Sequence, residues 1–200
     1  MPKIYCEEKR EEIRNKLMDS GLELIKQYGM KKMSIESITK QVGIAQGTFY
    51  NFYKSKEILI YHISKRYQEK KNSQINDLIK IKGYLERSDI KEFYYSMILK
   101  DEDNVYRYLN REDIQTFATR LPKEYLIKIN NVKEEMKKNI NYIKDRKEDC
   151  DLESVINWIQ IMNLAVENKD MLVENKIEKV INQMLENMLD EIFDNNEKEI

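Results

Sequence analysis

The stretch from residue 34 to residue 57 constrains the fold of this chain more than any other part of it. It reads SIESITKQV and then GIAQGTFYNFYKSKE. Ser34 is a residue type that favours a helix N-cap, and Gly43 permits a tight turn after a short helix. Two short helices joined in this way, with polar side chains on the second, predict a helix-turn-helix. In that motif the second helix enters the major groove of DNA.

The composition favours an all-helical protein. The 200 residues include only five glycines and two prolines, so residues that break helices are scarce. No apolar run approaches the roughly 20 residues of a membrane span, and the charged N-terminus lacks the apolar core of a signal peptide. We therefore expect a cytoplasmic protein without a membrane segment. Cys6 and Cys150 fit no metal-binding spacing, and we expect both to be free thiols.

The net charge of −1 conceals an uneven distribution of charge along the chain. Residues 1–67 contain 13 basic and 8 acidic side chains, whereas the remainder contains 22 basic and 28 acidic ones. Between residues 26 and 67 the excess is larger, with 8 basic against 2 acidic residues. A basic segment around the predicted helix-turn-helix favours binding to the phosphates of nucleic acid.

Apolar residues at three- and four-residue steps predict the other helices. The first runs from about residue 7 to residue 28, where Gly29 would end it in a left-handed cap. We expect Phe49 and Phe52 to point inward and anchor the third helix on the first. A long fourth helix begins near Ser55 and extends to about Lys80. Later helices are predicted from Pro122 to about residue 145, over 152–166 and over 173–192.

Residues 13–60 resemble the DNA-binding domain of the TetR family of bacterial transcriptional regulators. The resemblance covers about a quarter of the chain and is carried by several short motifs in a fixed order. These are Tyr28-Gly29, Ser34, the run from Gly43 to Tyr53, and Lys54-Ser55-Lys56-Glu57-Ile58-Leu59. It implies a three-helix DNA-binding domain over residues 1–54. A long helix would join this domain to a helical effector-binding and dimerisation domain over residues 55–200.

Three residues depart from the family pattern. Ala45 replaces the usual Ser or Thr that caps the recognition helix, at a cost of about 1 kcal/mol of capping. Thr39 stands where the family has a small apolar residue. Tyr53 replaces the usual Phe and adds a hydroxyl that needs a hydrogen-bond partner. None of the three removes a position that would contact phosphate.

The resemblance implies that the N-terminal domain contacts an operator in double-stranded DNA. Hydroxyl and ammonium groups at Ser34, Thr48, Tyr50 and Lys56 would bind phosphates. The amides of Gln46 and Asn51 have the donors and acceptor needed to pair with adenine. Close approach of the helix would depend on Gly47, and Lys54 would add a positive charge. A solvated polar helix face is the alternative interpretation of these residues.

The resemblance also implies a homodimer, in which the last two helices pair with their copies around a two-fold axis. Packing of the same apolar stripe within one protomer is the alternative. The residues that we expect at the interface lie on the last two predicted helices: Val155, Ile159, Val173, Ile177, Val180, Ile181, Met184, Leu185 and Met188.

Members of the family commonly respond to a small effector bound in the second domain. Large aromatic residues and Met in the middle of this chain suit an apolar or aromatic effector, although core packing is the alternative for each of them. The candidate effector-binding residues are Phe93, Met97, Tyr125, Trp158 and Met162. A helical dimer that binds DNA and is controlled by a protein partner is the second hypothesis.

The sequence gives little support to catalysis. The single histidine, His62, falls on the predicted fourth helix and is expected to be a surface or packing residue. The sequence contains no glycine-rich phosphate loop, no candidate Ser-His-Asp set and no pair of carboxylates at a spacing that indicates catalysis. We therefore expect no enzyme activity, no cofactor and no bound metal.

Overall fold

The computed structural model describes residues 6–125, 132–173 and 176–194. These residues are helical and contain no strand, apart from two isolated bridges that pair Leu85 with Ile143 and Arg146 with Phe193. The predicted all-α fold is confirmed. Within the described residues, no helix is both long enough and apolar enough to span a bilayer.

The described residues divide into two compact units. The first comprises residues of 1–69 and 103–126, and the second comprises residues of 70–102 and 127–200. The fourth helix, α4 (Lys56–Lys82), continues from one unit into the other. The first unit is larger than the 1–54 segment predicted from the sequence, because residues of 55–69 and of 103–126 group with it.

Four helices and part of α4 form the first unit. They are α1 (Glu7–Lys32), α2 (Ile35–Val42), α3 (Gln46–Phe49) and α6 (Arg111–Arg120), with a 3₁₀ turn over Val105–Tyr108. This 3₁₀ turn packs on α1. An ion pair between Lys31 and Glu112, with an N–O distance of 2.5 Å, joins the end of α1 to the start of α6.

The helices of this unit begin and end close to the residues that the sequence suggested as caps. Gly29 interrupts α1 with φ 74° and ψ 168°, which is not the left-handed helical conformation that we expected, and a last turn follows to Lys32. The Ser34 side chain accepts a hydrogen bond from Ser37 N, as an N-cap should. Gly43 adopts the left-handed conformation after α2 with φ 73° and ψ 35°. The predicted helix-turn-helix is confirmed.

The core of the first unit brings α1 and α4 into close contact. Leu17, Ile25 and Leu59 are fully or almost fully buried there. Gly21 faces the same contact, because a Cβ atom built on it would lie 3.0 Å from Leu59 Cδ2 and 3.1 Å from Ile63 Cδ1. The absence of a side chain at Gly21 therefore allows the two helices to approach each other.

The second unit contains α5 (Arg87–Tyr95), α7 (Val132–Asn139), α8 (Leu152–Glu167) and α9 (Ile177–Ile192). A π-helix over Ser96–Lys100 continues directly from α5. Helix α9 packs against both α8 and α5. The core of this unit is built mainly from α8 and α9, and it includes Val155, Ile159, Met162, Ile181, Leu185, Met188, Leu189 and Ile192.

Several predicted helix bounds differ from the structure. The last helix begins at Ile177, so Val173 lies before it. The helix predicted from Pro122 to residue 145 falls partly on residues 126–131, which are outside the described residues. Its described part ends earlier than predicted, because Leu85 N donates to the Tyr142 carbonyl and Lys144 N donates to the Leu85 carbonyl. These two bonds draw the chain away from a helical path. Cys6 and Cys150 are free thiols, as expected.

Candidate nucleic-acid interface

The recognition segment, residues 46–53, is held on the first unit by two aromatic side chains. Phe49 is completely buried and Tyr53 is 2% exposed, with their ring centroids 5.9 Å apart. The Tyr53 hydroxyl donates to the Arg14 carbonyl on α1 at 3.5 Å, and burial raises the pKa of this hydroxyl. The prediction that Phe52 shares the anchoring role is wrong, because Phe52 is only partly buried and Tyr53 takes that place.

The polar face of the recognition segment is open to solvent. Gln46, Asn51 and the following Lys54 are exposed, and Tyr50 is 53% exposed. Thr48 is half-buried. Because its anchors point inward, the segment presents amide, hydroxyl and ammonium groups on one accessible surface, which suits contact with a polyanion.

Gly47 packs against no side chain among the residues that the structure describes. A Cβ atom built at this position would have no heavy atom within 4 Å, and its backbone does not require a positive φ. This differs from Gly21, where a neighbouring helix occupies the space. A glycine that neither packing nor conformation requires is consistent with close approach of the helix to an external partner.

The three departures from the family pattern are accommodated in different ways. The buried Thr39 hydroxyl donates to the Ile35 carbonyl at 2.9 Å, so its polarity is satisfied within α2. Ala45 makes no side-chain cap, and only its carbonyl accepts from Thr48 N at 2.8 Å. The start of α3 therefore lacks the cap that Ser or Thr would supply.

Lys56 has a structural role that the sequence did not reveal. Its ammonium donates to the carbonyls of Met30 and Met33 at 3.1 and 3.2 Å, close to the end of α1. These bonds satisfy carbonyls near a helix C-terminus with a positive charge, which is favourable there. An ammonium has three donors, and these bonds use two of them.

The family model "Bacterial regulatory proteins, tetR family" matches residues 17–63, which include α2, α3 and their anchors. This segment is a TetR-type DNA-binding domain. The family expected from the motifs is therefore confirmed. Within the described residues, no cluster of His, Cys, Asp or Glu has the arrangement of a metal site.

Individual proteins resemble part of this chain in sequence or most of it in fold. The chain is 39% identical over 70 residues to a Bacillus subtilis protein described as an uncharacterised HTH-type transcriptional regulator, YvdT, a match that covers 35% of this chain and 33% of the relative. It therefore spans about a third of that relative's length. A putative TetR-family regulator from Mesorhizobium loti has a similar fold, with a TM-score of 0.62, 14% identity and coverage of 94% and 100%. FadR from Bacillus subtilis, solved with stearoyl-CoA, gives a TM-score of 0.56, 21% identity and coverage of 89% and 98%.

The residues predicted at a dimer interface fall into two groups. Val155, Ile159, Ile181, Leu185 and Met188 are buried in the core of their own protomer. The second group is available at the surface: Val173 and Val180 are exposed, while Ile177 and Met184 are half-buried. Part of the predicted interface therefore forms the core of the second unit, and the rest remains at its surface.

Exposed apolar residues also occur at positions that the sequence interpretation did not select. On α8, Ile161 and Leu164 are 49% and 56% exposed. They are three residues apart and share one helix face. The periodicity of α8 was uninformative here, because this helix is apolar on nearly all sides.

The predicted effector-binding residues lie in different units. Met162 is buried in the core of the second unit, and Phe93, Met97 and Trp158 pack partly buried against that core. Tyr125 belongs to the first unit, where its ring lies 4.8 Å from that of Tyr61. The structure thus brings four of the five residues together, and Tyr125 lies elsewhere.

The role of Lys56 at the end of α1 leads to a stability prediction. Lys56→Met keeps the apolar stem and removes the donors to Met30 and Met33, so the free energy of unfolding should fall by about 1–3 kcal/mol. Chemical denaturation measures this change. Lys54→Met removes a charge from an exposed neighbour and is the matched control, with an expected change within about 0.5 kcal/mol. If Lys56→Met and Lys54→Met had the same free energy of unfolding, the hydrogen bonds from Lys56 to the end of α1 would not stabilise the fold.

Proposed function

We propose that this protein is a transcriptional repressor that binds a palindromic operator as a homodimer and is released by a small apolar or aromatic effector. The observation that carries the proposal is the recognition segment, whose buried anchors, Phe49 and Tyr53, leave its polar side chains exposed. The TetR-type domain over residues 17–63 supports the same function.

The DNA contacts follow from the chemistry of the exposed groups. Gln46 and Asn51 read base edges, because a side-chain amide pairs bidentately with adenine. Tyr50, Thr48 and Lys54 bind phosphates and set the position of the helix on the duplex. Ser34 lies at the start of α2, where backbone N–H groups also favour an anion. Its hydroxyl already interacts with Ser37, so we assign it a smaller share of the affinity.

Gly47→Ala should weaken DNA binding without weakening the fold, so it tests the two effects separately. Alanine has a higher helix propensity than glycine and meets no atom here, so the free energy of unfolding should stay equal or rise by up to about 1 kcal/mol. The added methyl group would keep α3 from its closest approach to the bases and lower the affinity about tenfold, or about 1.4 kcal/mol. A fluorescence anisotropy titration of a duplex selected from a random pool measures the affinity.

Tyr50→Phe and Lys65→Ala complete this test. Removing the exposed Tyr50 hydroxyl should weaken binding, whereas Lys65 lies on α4 in an ion pair with Glu69 and should leave it unchanged. If Gly47→Ala and Tyr50→Phe both bind the selected duplex as tightly as the unaltered protein, the recognition segment does not contact DNA.

A homodimer is needed because one four-residue recognition helix makes few contacts, and two copies place their helices in successive major grooves. We propose that its interface is formed by the outer faces of α8 and α9, which pack side by side. Ile161, Leu164 and Val180 are exposed apolar residues on these helices. Pairing with a second copy would remove this apolar surface from water.

Leu164→Glu should dissociate the dimer. An unpaired carboxylate in an apolar interface costs several kcal/mol, so the dimer dissociation constant should rise by more than about 100-fold. Sedimentation equilibrium measures the mass. Ile81→Glu is the matched control, since Ile81 is 81% exposed and lies on α4, outside the proposed interface. A dimer that persists in Leu164→Glu would place the interface elsewhere.

We propose that the effector binds beside the core of the second unit, in contact with Phe93, Met97 and Trp158. These apolar side chains are only partly buried, so they present surface next to a packed core. Large aromatic and Met side chains suit an apolar ligand. The stearoyl-CoA complex of Bacillus subtilis FadR makes a long-chain acyl compound a reasonable first probe.

The single tryptophan makes this proposal directly measurable. Titration with stearoyl-CoA, then with a panel of apolar and aromatic compounds, should change the emission of Trp158 in a saturable way. A bound ligand at 100 times its dissociation constant should also stabilise the fold by about 2.7 kcal/mol. If no compound changes either the emission or the unfolding temperature, control by a protein partner becomes the favoured alternative.

A further inference from the structure

The basic residues at the start of α1 differ in what they contact. Lys9 and Lys16 both pair with Glu12, at 2.7 and 2.6 Å, and Arg14 pairs with Glu11. These ion pairs each join two side chains of the same helix. Arg10 instead reaches out of its helix, and its guanidinium carbon lies 5.4 Å from the centre of the Phe52 ring.

Phe52 occupies a well-defined place in the recognition segment. It follows the exposed Asn51 and precedes the buried Tyr53. The backbone is fixed on both sides of the ring, since Phe52 N and Tyr53 N both donate to the Phe49 carbonyl, at 2.9 and 3.0 Å. The guanidinium of Arg10 is therefore held beside a ring of the recognition segment, although Arg10 belongs to a different helix.

An arginine over an aromatic ring remains able to bind an anion. The ring attracts the positive charge, while the planar guanidinium retains five N–H donors in a forked arrangement that matches phosphate oxygens. Contact with the ring also restricts the side chain before binding, so less conformational entropy is lost when a phosphate is bound. Phe52 itself offers no hydrogen-bond donor at this point of the surface.

We propose that Arg10 is a DNA-phosphate contact and that Phe52 positions it. This inference rests on the proposed DNA-binding function and adds a contact from outside the helix-turn-helix. Arg10 supplies a fixed positive charge at the edge of the recognition segment, and Phe52 determines where that charge lies.

The test compares Arg10→Ala with Lys16→Ala on the same selected duplex. Both changes remove one positive charge from α1, but only Arg10 contacts Phe52. Arg10→Ala should lower the affinity about tenfold. It should also reduce the slope of log affinity against log salt by about two for a dimer, because each lost phosphate contact contributes about 0.9. Lys16→Ala should change both quantities much less.

A double-mutant cycle with Phe52→Leu tests the positioning role. The leucine substitution should weaken binding when Arg10 is present and should have little further effect in Arg10→Ala. A purely structural effect of Phe52 would lower the unfolding temperature and weaken binding equally in both backgrounds. Additive effects of the two substitutions would therefore overturn the positioning role.

The possible failures are distinguishable. If the unaltered protein binds no duplex even at low salt, the proposed DNA-binding function fails. If it binds DNA and Arg10→Ala leaves the salt slope unchanged, DNA binding stands and the phosphate contact of Arg10 is excluded. Unfolding temperatures of all variants, measured alongside, identify any loss of binding that comes from unfolding.

Discussion

The burial of Phe49 and Tyr53 holds the recognition segment on the first unit, and the DNA contacts proposed for that segment depend on it. A four-residue helix has no stability of its own in water, because nucleation is costly and few hydrogen bonds repay it. Ala45 also leaves its N-terminus without a side-chain cap. The contacts of Phe49 and Tyr53 with the rest of the unit therefore stabilise α3, whose own helix propensity is insufficient. These contacts also leave the polar face of the segment directed outward.

These anchors belong to a row of rings that crosses the first unit. Tyr53 lies 5.3 Å from His62, His62 lies 5.3 Å from Tyr61, and Tyr61 lies 4.8 Å from Tyr125. His62, expected to be a surface or packing residue, packs among these aromatic side chains. Residues of the segment 103–126 thus share the packing of the unit that carries the recognition segment, and α4 continues from this unit into the second one.

Local features of the fold could be predicted from the sequence, whereas contacts between distant residues could not. Ser34 and Gly43 indicated α2 and its turn because capping and positive φ depend on neighbouring residues. The choice of Phe52 as an anchor failed because α3 ends at Phe49, so helical spacing does not continue and the chain turns Tyr53 inward. The carbonyls bound by Lys56 lie 23 and 26 residues earlier, which no spacing rule reveals. Periodicity identified the apolar stripe of α9 but not which of its residues pack within the protomer.

Hydroxyl-radical footprinting of the unaltered protein on its selected duplex tests the central claim most directly. A dimer that places two recognition helices in successive major grooves should protect two half-sites related by a two-fold axis and about 10 base pairs apart, or a multiple of that spacing, at saturation with two protomers. Protection of a single half-site, or no protection at low salt where phosphate contacts are strongest, would contradict it.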